Sequence, residues 1–227
     1  ESGWTTFLFM NEGKEAHHMT LIRLQGERTL ADFVRDFESG VPMKDRYIAI
    51  GGPNGVSPGG QSNATMFLKK GNYALICFVP SPDGRMHLMK GMLKPLTVFD
   101  KVDKKNQPRY NLEMELVDYK FKLSKPIEVG SHSIKVTNKS RGHVHEVVLA
   151  RLEGEATVED VITWMEKIEG PPPAEFLGGI AALSPMQSNI FQANFKSGRY
   201  AWICPMIEGK GQKSHIAYGM YAEFVVE

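Results

Sequence analysis

Apolar residues along this chain fall into two patterns. Segments 5–10 (TTFLFM), 65–68 (TMFL), 73–79 (YALICFV), 132–136 (HSIKV), 199–204 (RYAWIC) and 222–226 (AEFVV) are rich in aromatic and β-branched residues. Gly, Pro, Asn and Lys bound them, which predicts short β-strands. The second pattern has helical spacing: Leu30, Phe33, Val34 and Phe37 share one face, and so do Val158, Val161, Ile162 and Met165. Each set follows a Thr with an acid three residues on, Thr29 with Asp32 and Thr157 with Asp160, the signature of a capped helix start. These stripes are expected to be core. The stretches 51–60 (GGPNGVSPGG) and 169–179 (EGPPPAEFLGG) are dense in Gly and Pro and predict irregular connections.

The two halves match each other. From Gly51 to Cys77 the offset to the second half is a constant 127, pairing Gly51-Gly52 with Gly178-Gly179, Ser57-Pro58 with Ser184-Pro185, and Tyr73-Ala74-x-Ile76-Cys77 with Tyr200-Ala201-x-Ile203-Cys204. Upstream, HHMTLIRLQGERTLADF aligns with HEVVLARLEGEATVEDV, pairing His17 with His145, and Asn11 and Asn138 open the turn before each. Downstream, His87-x-x-x-Gly91-Met92 matches His215-x-x-x-Gly219-Met220. Self-similarity at a fixed offset marks repeated structural units. The expected organisation is domain 1 over 1–100, a polar linker with Pro108 over 101–116, and domain 2 over 117–227. Domain 1 is expected to lack its first strand, because only two residues precede Gly3 whereas VDYKFKLSKPI precedes the matching Gly130. Its exposed sheet edge then needs a cover from the linker, from another molecule, or from nothing.

Composition narrows the classes. The 227 residues are 42% hydrophobic, enough for two self-sufficient domains. With 27 basic against 26 acidic residues and no long run of either sign, there is no electrostatic footprint for nucleic acid or an anionic membrane. No apolar run approaches the roughly 20 residues needed to span a bilayer, and no charged-then-apolar signal opens the chain, which reads as a mature or trimmed form. The two cysteines occupy matched positions 127 residues apart and are expected as separate thiols, not a bridge.

Four residue types recur in order in each half: His17, Cys77, His87 and Met92, then His145, Cys204, His215 and Met220. Two imidazoles, a thiolate and a weak axial thioether form a ligand set that accepts both oxidation states of copper with little rearrangement. Strand alternation puts Tyr73, Leu75 and Cys77 on one face, so the thiol can point between sheets. The Gly before each Met permits a tight return. His18 adjoins His17, and His143 lies two residues from His145, so the choice of first histidine stays open, with the repeat alignment favouring His17 and His145. Taken singly, each residue has an ordinary reading: buried Cys and Met pack cores, and a strand-end His hydrogen-bonds at a surface.

With these residues in view, the chain resembles the cupredoxins, the family of plastocyanin, azurin and pseudoazurin. The likeness lies in the Asn turn before the first His, the Ser-Pro turn, the Gly-x-Tyr-x-x-x-Cys strand and the His-x-x-x-Gly-Met loop followed by a last strand. It implies an all-β fold of two Greek-key β-sandwich domains in tandem, each with one inserted helix. It also implies a type 1-like copper cofactor, electron transfer, and a periplasmic or secreted location. One departure is the interval from Cys to His, ten positions in copy 1 and eleven in copy 2, longer than in small single-domain members. Another is the inserted helix. Two-domain enzymes of the family place histidines beside the copper Cys, whereas Ile76 and Phe78, and Ile203 and Pro205, stand there here. The chain is therefore expected not to be an enzyme. Electron transfer with a redox or copper-handling protein partner is the first reading. Copper sequestration or delivery through Met10, Met19, Met86, Met89 and Met92 is the second, and a metal-free binding module the third. Homo-oligomerisation stays open.

Overall fold

A computed structural model describes residues 1–41, 43, 45–100, 106–207 and 213–227. Among the described residues fourteen strands form two sheets, and each half carries one α-helix. Copy 1 contributes β1 (Gly3–Met10), β2 (Thr20–Leu24), α1 (Leu30–Glu38), β3 (Tyr47–Gly51), β4 (Gln61–Leu68), β5 (Gly71–Ile76) and β6 (Leu93–Val98). The second half contributes β7 (Leu112–Val117), β8 (Lys120–Leu123), β9 (Gly130–Asn138), β10 (His145–Leu152), α2 (Val158–Lys167), β11 (Ala174–Leu183), β12 (Ser188–Phe195), β13 (Gly198–Ile203) and β14 (Tyr221–Val226).

The larger sheet runs β14-β13-β10-β11-β3-β2-β5-β6, and the smaller runs β1-β4-β12-β9-β7-β8. Read outward from the middle, β3-β2-β5-β6 repeats β11-β10-β13-β14, so matched strands lie about a pseudo-two-fold axis. The copies join edge to edge in both sheets, through Leu183 opposite Ile50 and Ile190 opposite Thr65. Inward residues of the two sheets share one apolar cluster, including Leu21, Met66, Tyr73, Ile134, Val147, Tyr200 and Trp202.

The helices begin as their sequences require. Thr29 Oγ1 accepts from the Asp32 N–H at 3.2 Å while the Asp32 carboxylate accepts from the Thr29 N–H, and Thr157 with Asp160 repeats the box. Phe33, Leu30, Val34 and Phe37 pack on the outer face of β2, β3 and β5, and Val161, Ile162 and Met165 do so in the second copy. Each helix thus covers the face of the larger sheet that the sandwich leaves open.

Two expectations about loops are corrected. Residues 174–179 of the second Gly/Pro-rich stretch lie in β11, because the alternation of Ala174 and Phe176 continues the core and only Gly170–Pro173 interrupts it. Residues 112–116, expected as linker, lie in β7, where Leu112, Met114 and Leu116 are fully buried and pair in parallel with Ile134, Val136 and Asn138. Residues 101–105 of that stretch lie outside the described residues. In the smaller sheet β9 is followed by β7 and then β8, whereas β1 stands at the other end of the sheet with one edge unpaired among the described residues. On that strand Leu8 and Met10 are 63% and 61% exposed.

The paired glycines have a backbone role. Gly52 and Gly179 carry φ of 136° and 103°, and a Cβ on either would strike the carbonyl oxygen of Met19 or Val147 on the neighbouring strand. The backbone admitted by this close approach lies two residues after each first histidine, at Met19 and Val147.

Candidate metal centres

Each first histidine is placed by an asparagine. Asn11 Nδ2 donates to the carbonyls of Glu15 (2.8 Å) and Val56 (2.9 Å) while its Oδ1 accepts from the Gly13 N–H, closing the loop that ends in His17. Asn138 does the same with the carbonyls of His143 and Leu183 and the Ser140 N–H, ahead of His145. Cys77 and Cys204 follow directly on β5 and β13, and both are buried free thiols. From there the chain must return a histidine to the same end of the sandwich.

The long Cys-to-His interval does not prevent this. In copy 1 the extra residues form a small excursion pinched by a bridge between Pro80 and Met86; in copy 2 Ile207 pairs with Ser214, and residues 208–212 lie outside the described residues. A one-turn 3-10 helix then carries His87 or His215 back, and Gly91 (φ 93°) or Gly219 (φ 83°) ends it in the left-handed region. The return is locked by hydrogen bonds. Cys77 N–H donates to Met92 O, and Met92 N–H to His87 O; Cys204, Met220 and His215 repeat both.

Three donors converge in each copy. His17 Nδ1 and His87 Nδ1 lie 2.9 Å apart, and the Cys77 sulfur is 3.9 and 3.4 Å from them. The second copy gives 3.0, 4.0 and 3.4 Å for His145, His215 and Cys204. A trigonal metal with bonds of about 2.0 Å to nitrogen and about 2.3 Å to sulfur needs edges of about 3.5 to 3.7 Å, which these triangles bracket. Of the eight residues expected as ligands, six thus meet as two His-Cys-His triads. Met92 lines the same cavity as His17 and His87, and Met220 is fully buried in the core beside its triad. The ambiguity over the first histidine resolves by position: His18 turns inward, where its Nε2 accepts from the Phe78 N–H at 2.8 Å, and His143 stands beside the triad with its ring 6.2 Å from His145. The fold and its donor set are cupredoxin-like.

The donor set fits copper, by the softness of the thiolate and by a preformed three-donor geometry of two imidazoles and one sulfur. The cupredoxin-like triads are preorganised differently at their outer nitrogens. In copy 1, His87 Nε2 donates to the Glu15 carboxylate at 2.7 Å, which leaves Nδ1 as the lone-pair donor. That bond holds the Glu15 carboxyl below its ordinary value. In copy 2, His145 is fully buried, its Nε2 has no hydrogen-bond partner among the described residues, and burial drives its pKa down to about 3. A neutral imidazole is the form that binds metal. Burial likewise pushes the Cys77 thiol up, opposed by N–H groups aimed at the sulfur. One of them is His18 N–H, 3.5 Å from Sγ, and Glu146 N–H serves Cys204 at 3.4 Å.

The surroundings differ. Copy 1 opens into a cavity of about 290 Å³ lined by Lys14, Glu15, His17, Ser81, His87, Lys90 and Met92. Copy 2 is closed by Tyr119. That residue sits in the two-residue turn between β7 and β8, where Asp118 and Tyr119 have φ of 34° and 68°, as a tight hairpin requires. Its ring stands edge-on to His215 at 5.0 Å and His145 at 6.0 Å and stacks on Tyr218 at 4.6 Å. Sequence reasoning missed Glu15 and Tyr119. A position two residues before the first His was the one available hint for Glu15, and nothing local marks Tyr119 as a cover.

No family model matches the chain, and no curated protein matches it. Among solved structures, auracyanin B is similar over 54% of this chain and 92% of its own, at 19% identity and a TM-score of 0.37. A dithionite-reduced auracyanin from the photosynthetic bacterium Roseiflexus castenholzii is similar over 51% and 94%, at 23% identity and a TM-score of 0.33. A Cu-containing nitrite reductase from Thermus scotoductus SA-01 aligns with 100% of this chain and 53% of its own, at 10% identity and a TM-score of 0.29. The assignment of the centres rests on this chain's own strand order and donor triangles.

Proposed function

We propose that the protein is a two-centre copper protein that transfers electrons outside the cytoplasm, in the periplasm or beyond the cell. One observation carries this reading: in both copies two imidazole Nδ1 atoms and a buried thiol converge on one point of a rigid sandwich. Copper held there supplies one-electron chemistry. The protein's part is to keep the donors fixed in both oxidation states, which the locked Cys–Met–His return and the N–H groups on sulfur accomplish. Met92, which lines the copy 1 cavity, and the buried Met220 would offer thioethers as further soft ligands. Copy 1, with His17 half-exposed at the mouth of its cavity, is the port for a redox or copper-handling protein partner. No catalysis is assigned, because Ile76, Phe78, Ile203 and Pro205 beside the cysteines offer no ligands for a second type of copper. Among the described residues no helix is long and apolar enough to cross a membrane.

Adding Cu(II) to the purified protein tests the proposal. An intense visible Cu–thiolate band, halved by Cys77→Ser or Cys204→Ser and abolished by both, is expected; a colourless protein without stoichiometric copper would sink it. Copper sequestration or delivery is the second reading, favoured by exposed Met10, Met86 and Met89 in copy 1. Tight Cu(I) binding that survives loss of both thiols would select it.

A further inference from the structure

Behind the two triads, one buried amide joins the copies. His18 and Glu146 occupy matched positions, each one residue after a first histidine, and each gives its N–H to the cysteine sulfur of its own copy. Both side chains are buried. Asn54, 2% exposed, lies between them. Its Nδ2 donates to Glu146 Oε2 at 3.3 Å; on the other side the His18 side chain faces it, and Met19, next to His18, donates its N–H to the carbonyl of Pro53, next to Asn54, at 3.0 Å. His18 Nε2 accepts the Phe78 N–H, so the neutral ring carries its proton on Nδ1. Asn54 is thus tied to both copies, and further bonds from Nδ2 to the carbonyls of Val147 and Ile180 fix it in place.

The repeat makes this network informative. The copies keep His, Cys, His and Met, yet differ at every member of the bridge: imidazole in one and carboxyl in the other, and Ala181 where the first copy has Asn54. Burying an imidazole, a carboxyl and an amide is expensive, and apolar side chains of similar volume would fill the same space at lower cost. The three residues complement one another only across the junction. Packing alone does not account for them.

We propose that Cys77, His18, Asn54, Glu146 and Cys204 form an internal electron path that makes the two centres one relay. The proposal rests on the copper reading above. Tunnelling decays more slowly through covalent and hydrogen bonds than across a packed gap, and this chain runs from sulfur to sulfur through both. In the step, one electron leaves the metal of copy 1, oxidised from Cu(I) to Cu(II), and reaches the metal of copy 2, reduced from Cu(II) to Cu(I). No bond breaks and no proton moves. Tyr119 closes copy 2 while copy 1 is open, so the path is the route by which copy 2 exchanges electrons with the outside.

The test uses the full chain loaded with copper at both centres, fully oxidised, then reduced by a fast radical pulse at less than one equivalent. The bands of the two centres are assigned beforehand in Cys77→Ala and Cys204→Ala. Copy 1 should bleach first, then recover as copy 2 bleaches in a first-order phase whose rate does not change with protein concentration. Asn54→Leu should slow that phase by about tenfold or more, with both bands unchanged. Because Asn54 also ties Val147 and Ile180, His18→Leu provides an independent cut with the same expected slowing. Glu146→Gln keeps an acceptor for Asn54 and should keep the rate. Transfer that scales with protein concentration, or a first-order rate untouched by both Asn54→Leu and His18→Leu with bands intact, overturns the relay alone. Failure of either single-centre variant to develop a band overturns the copper reading beneath it.

Discussion

His17 Nδ1 stands 2.9 Å from His87 Nδ1, and with the Nε2–H of His87 held by Glu15, the His87 Nδ1 lone pair faces His17, whose Nδ1 proton it accepts in the metal-free protein. A bound cation takes the place of that single proton and adds the thiolate as a third partner. Copper loading is therefore expected to raise thermal stability, by about 2.7 kcal/mol per centre at a free concentration one hundred times the dissociation constant. Calorimetry on the wild type and on Cys77→Ser, Cys204→Ser should show that each substitution removes one increment.

Glu15 acts on the copy 1 centre alone. Removing a carboxylate that orients a ligating histidine costs metal affinity, typically about 10- to 100-fold. Glu15→Gln should weaken copper at copy 1 by that order and leave copy 2 unchanged. It should also raise the copy 1 potential, since a nearby negative charge favours the more positive oxidised metal. Competition titration and voltammetry on Cys204→Ser and its Glu15→Gln derivative read both effects.

Tyr119 predicts an accessibility difference. A small hydrophilic reductant should react with copy 1 faster than with copy 2 in the separate single-centre proteins. Tyr119→Ala should bring the copy 2 rate toward that of copy 1, as followed by stopped-flow bleaching. An unchanged rate would mean that Tyr119 does not control access.

Stability should respond to pH at both extremes through one pair. Asp36 accepts from the Tyr47 hydroxyl at 2.8 Å and from Arg46 at 3.0 Å, with Arg35 at 3.8 Å, and the Tyr47 bond holds its carboxyl below the ordinary 3.8. A depressed acid stabilises the fold above its unfolded pKa, and that contribution is lost as pH falls below 3.8. Burial and Asp36 push Tyr47 from 10.0 up to about 12, with Arg28 opposing and Asp32 adding to the rise. The folded protein then holds a proton that the unfolded chain releases between these values, so stability falls as pH rises across them. Tyr47→Phe should remove the alkaline limb in urea titrations, and Asp36→Asn should flatten the acid one.

Gly179 allows a sharper test of backbone geometry than of chemistry. Gly179→Ala places a Cβ against the Val147 carbonyl at a left-handed φ, a combination worth about 1–3 kcal/mol of strain before any clash is relieved. Denaturant midpoints should fall accordingly. Because Val147 follows His145 by two residues, the copy 2 band should broaden as well.

What could be read in advance followed from local physics. The capping boxes at Thr29 and Thr157 need only a side chain and the next turn of backbone. The strands around Tyr73 and Tyr200 declare themselves through residue type, and the two ligand sets became legible because the halves could be laid over one another. The stretch 112–116 misled because alternate Glu113 and Glu115 make it polar on average, although Leu112, Met114 and Leu116 face the core. Residues 174–179 misled because Gly178 and Gly179 look like loop residues when they mark close strand approach.

The amino-acid sequence by itself determined the repeat, the helix starts, the strand set and the chemical types of the eight candidate ligands, since each depends on neighbours within a few positions or on comparison between copies. Only the tertiary structure decided that His17 and not His18 faces its cysteine, that the long loops return, and that Tyr119 covers one centre while the other is open. Only the tertiary structure brought His18, Asn54 and Glu146 together. Those outcomes depend on contacts between residues tens of positions apart in the chain, whose distances are set by how two sheets pack, and no local pattern encodes that packing.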